Sequence, residues 1–128
     1  MSQTILLVED DADMRGLLVR QLKDGGYKVR TCDNGADVLP ALYDELPDLM
    51  VLDVMLPGMD GLTLLSTIAR EGGPKLKGLR VVVISAFVTS EQTFLNFPHV
   101  SSFLAKPFEL SDFTNAVKKA LGNADRPR

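Results

Sequence analysis

Ile5-Leu6-Leu7-Val8 is an unbroken apolar run, and after it Met14, Leu17, Leu18 and Leu22 recur at helical spacing until Gly25-Gly26. A short continuous run fits a strand buried on both sides, whereas recurrence every three or four positions marks one face of a helix. The chain is therefore expected to open with a strand followed by a helix. Tyr27 to Cys32 alternates in polarity, as a more exposed strand does, and Asp33-Asn34-Gly35 then turns the chain. Val38, Leu39, Leu42 and Leu46 outline a second helix with Pro40 inside it. Proline lacks a backbone donor and clashes with the preceding turn, so this helix is expected to start late or to kink near Pro40. Leu49-Met50-Val51-Leu52 is the third strand.

After Pro57-Gly58, the positions Leu62, Leu65, Ile68 and Ala69 predict a third helix closed by Gly72-Gly73-Pro74, and Leu79 to Ile84 predicts a fourth strand. Thr89 to Phe97 is only weakly helical, Ser102-Phe103-Leu104 reads as a short strand, and Leu110, Phe113, Val117 and Leu121 mark the last helix. Residues 1–122 form the expected domain, with 123–128 as a C-terminal tail. Apolar strands alternating with helical segments predict an α/β, doubly wound (βα)5 fold whose parallel sheet is covered on both faces. The crossovers of such a sheet are right-handed, and its ligand site lies beyond the carboxyl ends of the strands. Residues at those ends are where chemistry belongs.

Composition narrows the function classes. A chain of 128 residues that is 45% hydrophobic suits one compact domain. Its net charge of -3 leaves no broad basic field, so direct nucleic-acid binding is not expected. Cys32 is the only cysteine and cannot form an intrachain disulfide. The polar start Met1-Ser2-Gln3-Thr4 does not resemble a leader, and no apolar run approaches the roughly 20 residues that cross a bilayer. A cytoplasmic protein with no membrane insertion is expected.

The strand ends carry a particular set of groups. Strand one ends in Glu9-Asp10, strand three in Asp53, strand four in Ser85-Ala86, and strand five runs into Lys106-Pro107. Clustered carboxylates suit a hard cation such as Mg²⁺, which takes a few oxygens plus water and phosphate. A carboxylate nucleophile can form an aspartyl phosphate while a metal, a lysine and a hydroxyl stabilise the oxygens in transfer. Asp53 is the candidate nucleophile, with Lys106 and Ser85 as stabilising groups.

Ile5 to Asp11 (ILLVEDD), Leu52 to Gly61 (LDVMLPGMDG), Ser85-Ala86 and Lys106-Pro107-Phe108 resemble the signature blocks of response-regulator receivers, across nearly the whole chain. The resemblance implies a flavodoxin-like sheet of order 2-1-3-4-5 and gives each residue a role. Asp53 is the implied phosphoacceptor, Glu9 and Asp10 the acidic pair for Mg²⁺, and the Met55 backbone carbonyl a further ligand. Ser85 and Lys106 would contact phosphoryl oxygens, Ser85 and Phe103 would form the switch, and the Lys106-Pro107 bond would be cis. The implied partner is a sensor histidine kinase or a histidine phosphotransfer protein, with the downstream partner unspecified. Such a protein catalyses only its own phosphorylation and dephosphorylation. The rival readings are a phosphorylation-independent interaction module with this fold and a metal-dependent phosphatase.

Plainer readings stand beside these. Asp11 or Asp13 suits a helix cap, Phe103 suits an ordinary core aromatic as well as a switch, and His99 beside Pro98 suits a loop. Lys75-Leu76-Lys77 and Lys118-Lys119 suit solvated faces, and Met14, Met55 and Met59 need no cofactor. The chain departs from the family pattern between Phe87 and Ser102, where Phe94, Leu95 and Phe97 suit either a short helix's core or an exposed apolar patch. Ser101-Ser102 replaces the acidic pair found in many DNA-binding regulators, which favours a monomer or weak dimer over their symmetric dimer. Thr89 to Val100 is expected to be the most mobile ordered part of the free domain.

Overall fold

The computed structural model describes residues 3–56, 59–86 and 91–122. Pro57-Gly58, the start of the Phe87 to Ser102 segment and the tail at 123–128 lie outside the described residues. The chain runs β1 (Thr4–Val8), α1 (Ala12–Asp24), β2 (Lys28–Cys32), α2 (Val38–Asp44), β3 (Leu49–Asp53), β4 (Met55–Leu56) and β5 (Met59–Asp60). It continues through α3 (Gly61–Glu71), α4 (Gly73–Leu76), β6 (Val81–Ser85), α5 (Glu91–Leu95), β7 (Val100–Ala105) and α6 (Leu110–Ala120).

The main sheet is parallel in the order β2-β1-β3-β6-β7. With the separate β4-β5 hairpin set aside, this is the expected 2-1-3-4-5 order. The apolar runs form strands because alternate residues pack on opposite faces of one pleated sheet. Leu6, Val8, Met50, Leu52, Val81 and Val83 face a core with Leu42 of α2, Leu65 and Ile68 of α3, Leu76 of α4 and Phe94 of α5. Ile5, Leu7, Leu49, Val51, Val82 and Ile84 face the other core, with Leu18 and Leu22 of α1 and Phe113 and Val117 of α6. Helices therefore cover both faces, and the partly exposed β2 lies at an edge.

Helix α1 starts where the Asp11 carboxylate accepts from the N–H groups of Asp13 and Met14 at 3.0 and 3.4 Å. That satisfies donors which a helix start otherwise leaves unpaired. At its far end Gly26 takes φ 92, a left-handed conformation that glycine adopts without a Cβ clash.

Four local expectations change. Helix α2 starts at Val38 rather than late, and Pro40 stands in its first turn, where a missing N–H costs no helical bond. It ends at Asp44, leaving Leu46 outside the helix and exposed. The stop at Gly72-Gly73-Pro74 is followed by the single turn α4, which buries Leu76. The strand expected at Leu79 runs from Val81 to Ser85, and the one expected at Ser102 to Leu104 extends from Val100 to Ala105.

Candidate phosphoryl-transfer site

Parallel register gathers the strand-end residues at one edge. Val8 pairs with Leu52, Asp53 with Ile84, and Ser85 with Ala105. Glu9 and Lys106 each follow the last paired residue of their strands, so the row across the sheet is Glu9, Asp53, Ser85 and Lys106. The first three side chains belong to buried residues, exposed by only 1%, 2% and 1%.

The Lys106 Nζ donates to Asp53 Oδ2 at 2.9 Å and to Glu9 Oε1 at 3.3 Å. The other Asp53 oxygen, Oδ1, accepts from the Met55 N–H at 2.9 Å. Glu9 Oε2 accepts from the Asp11 N–H at 3.2 Å. One lysine thus serves two buried acids, and the exposed Asp10 adds a third carboxylate. Burial pushes the Glu9 pKa up to about 7; the Asp11 N–H opposes that rise, and the charge and hydrogen bond of Asp53 reinforce it. For Lys106, burial acts to lower the pKa, but its bonds and attraction to Asp53 and Glu9 prevail and raise it.

One oxygen from each of Glu9, Asp10 and Asp53 lies within 4.8 Å of the others. Three convergent hard oxygens with one ammonium between two of them fit a divalent cation that keeps part of its water shell. Met55 follows Asp53 after one residue and is half-exposed. The Lys106-Pro107 peptide bond is cis.

Phe103 lies one strand over from Val83, half-buried against the core shared by α2 to α5, and stacks on Phe94 with ring centroids 6.3 Å apart. Phe94 is buried and Phe97 packs against the same core, while Leu95 is exposed. The apolar residues of this segment thus serve mainly as core. His99 lies just before β7, at the opposite end of the sheet from Lys106, with Nε2 3.1 Å from the Leu76 carbonyl oxygen. Lys75, Lys77, Lys118 and Lys119 are exposed.

Two residues absent from the expected site bear on it. Arg15 Nη1 donates to the carbonyl oxygens of Glu9 and Asp10 at 3.0 and 3.3 Å. Gly61 opens α3 where a Cβ would stand 2.6 Å from the Cβ of Val54, the residue after Asp53. The sequence signal for Arg15 was a basic residue one helical turn beyond the Asp11 cap; Gly61 closes the Leu52 to Gly61 block, but the need for glycine there shows only once Val54 stands against it.

A family model described as the response regulator receiver domain matches residues 5–118. The response regulator receiver protein CpdR of Brucella abortus is 38% identical over 117 residues, covering 91% of this chain and 95% of that protein. The DNA-binding transcriptional regulator NtrC of Escherichia coli K12 is 32% identical over 93% of this chain, which spans only 25% of NtrC. The Thermotoga maritima response regulator TrrA, solved in complex with Mg²⁺ and BeF, superposes with a TM-score of 0.80 at 26% identity, covering 92% of this chain and 98% of that one. Among the described residues, no helix is long and apolar enough to cross a membrane.

Proposed function

Because the chain belongs to the response regulator receiver family of two-component signalling, we propose that Asp53 accepts a phosphoryl group from a histidine kinase or histidine phosphotransfer protein. The observation that carries this reading is the Asp53 carboxylate itself, buried at the sheet edge, with Oδ1 on the Met55 N–H and Oδ2 on Lys106. A carboxylate so held has little freedom to lose before reaction, which favours attack. An Asp53 oxygen bonds to the phosphorus of the donor's phosphohistidine, the P–N bond breaks, and the departing imidazole nitrogen keeps the electron pair and takes a proton.

Glu9, Asp10, Asp53 and the Met55 backbone carbonyl would hold Mg²⁺, and the donor set above supports that assignment. When bound, Mg²⁺ supplies positive charge against the oxygens of the transferring group. Lys106, already within 2.9 Å of Asp53, is placed to follow those oxygens with its ammonium. Ser85, on the strand beside Asp53, offers its hydroxyl. Movement of Ser85 toward the phosphate would leave space for Phe103, and the Phe94 stack would carry that change into α5. The signal is then a changed protein surface rather than turnover of an external substrate.

We assign residues 1–122 to the receiver unit, in keeping with the 5–118 family match. A cytoplasmic location suits a kinase partner of this kind. The test is an NMR titration with Mg²⁺, which should shift signals at Glu9, Asp10, Asp53 and Met55. An unchanged spectrum at millimolar Mg²⁺ would remove the metal assignment.

A further inference from the structure

The acidic pair depends on a short, irregular piece of backbone. Strand β1 leaves the ladder at Val8, and α1 begins at Ala12. Between them the chain must turn the Glu9 carboxylate inward, to 1% exposure, and bring the exposed Asp10 to the same point. The Glu9 N–H remains tied to the Cys32 carbonyl oxygen at 3.0 Å, but the Glu9 and Asp10 carbonyls lie beyond the strand pairing.

Arg15 takes those two carbonyls. Its Nη1 carries two hydrogens and donates to Glu9 O at 3.0 Å and to Asp10 O at 3.3 Å. Its base is fixed, because it sits in the first turns of α1, whose start is capped by Asp11. Among the described residues no carboxylate lies within ion-pair distance of Arg15. Its guanidinium therefore bonds the loop backbone and neutralises none of the three acids directly.

We propose that Arg15 is a positioning residue for the acidic pair: by bridging the Glu9 and Asp10 carbonyls it sets the bend that makes their carboxylates converge on one cation. The inference rests on the Mg²⁺ reading above and adds a residue to it. Lysine cannot reproduce the effect fully, since a compact, rotating ammonium on a flexible stem lacks the planar group that fixes the directions of the two Nη1 hydrogens.

Charge and position predict opposite signs, which makes the idea decidable. A cation near an Mg²⁺ site repels the ion, so if Arg15 acted only through charge, its loss would tighten binding. If it acts by position, loss should weaken binding by about tenfold or more, the scale seen when groups supporting metal ligands are removed. Mg²⁺ should be titrated into the original chain, Arg15→Met and Arg15→Lys at constant ionic strength and pH by calorimetry. The expected order of affinity is original, then Arg15→Lys, then Arg15→Met. Equal or tighter binding in both variants overturns the proposal.

Hydrogen exchange of the Asp11 amide, which donates to Glu9 Oε2 at 3.2 Å, reads the same positioning without metal. It should quicken in both variants, and unchanged exchange would count against the bridge. Should Arg15→Met fail to fold, Arg15→Lys carries both measurements. If the original chain binds no Mg²⁺, the metal assignment falls while the Asp11 amide still decides whether Arg15 positions Glu9.

Discussion

On one face of the sheet α1 and α6, 13 and 11 residues long, pack over Ile5, Leu7, Val82 and Ile84. On the other, α3 has 11 residues but α2, α4 and α5 have only 7, 4 and 5. Helices this short gain little from their own hydrogen bonding and persist through packing. A side-chain bond from Gln21 to Thr114 at 3.1 Å also joins α1 to α6. The long-helix face is thus expected to act as a support, and the short-helix face to be the one whose packing changes at small cost. Phe103 packs on the core of that second face, two pairs before Ser85 meets Ala105.

The most severe test of this contrast is truncation of one large aromatic on each side. Phe113 is fully buried on the long-helix face, and Phe113→Ala should cost about 3–5 kcal/mol of global stability. Phe94→Ala should cost less in denaturant melts, because α5 can collapse around the space, yet it should reduce the response of α5 to phosphorylation. Equal costs with an undiminished response would remove the distinction between the faces.

A smaller effect is expected at the joint between α3 and the site. In Gly61→Ala the new Cβ would lie 2.6 Å from Val54 Cβ and 3.1 Å from its Cα, so the backbone after Asp53 must shift. Overpacking of this kind costs about 1–3 kcal/mol. Labelling by acyl phosphate should slow alongside the loss in melting temperature. A variant that is destabilised but labels at the original rate would show that α3 does not help to place Asp53.

The fold and the strand-end site were partly legible in the sequence. The apolar runs showed the strands, and the rule that ligands gather at carboxyl ends brought Glu9, Asp10, Asp53, Ser85 and Lys106 to one edge, where the structure has them. The β4-β5 hairpin was not legible, since Met55-Leu56 and Met59-Asp60 are too short to show a period. Helix α4 was hidden because it is a single turn opened by Gly73 at φ 58, and a Gly-Gly-Pro sequence signals only the break. Whether Phe94, Leu95 and Phe97 make core or patch depended on what stands opposite them, which no spacing records. The Arg15 bridge has the same character: one side chain folding back on two carbonyls leaves no repeat in the sequence.

Hydrogen exchange should sharpen the comparison further. The described part of the Thr89 to Val100 segment should exchange faster than β1 in the free protein, and slow on addition of beryllofluoride and Mg²⁺ while β1 changes little. Lys106→Ala should weaken that slowing more than Ser85→Ala, because it removes a full charge rather than a neutral donor. Identical protection in both states would place the signalling surface elsewhere.

The mildest effect comes from pH. Glu9 is raised from an ordinary 4.5 to about 7, so between those values the folded, metal-free protein holds a proton that the unfolded chain has lost. Its contribution to stability is present below about pH 4.5 and is lost as pH rises through about 7. Mg²⁺ needs the carboxylate, so its affinity should fall as pH drops below 7, approaching about tenfold per pH unit. Calorimetric titrations between about pH 4.5 and 8, which span this window, should show the trend; flat affinity would mean that Glu9 does not hold the ion.

The most direct test of the account is the location of the phosphate. The chain and its Asp53→Asn variant should be treated with a small acyl phosphate, with and without Mg²⁺, and analysed by peptide mass spectrometry. One added phosphate is expected on the peptide containing Asp53, dependent on Mg²⁺ and lost in Asp53→Asn. Phosphate found as readily in the variant, or at another residue of the original chain, would contradict it.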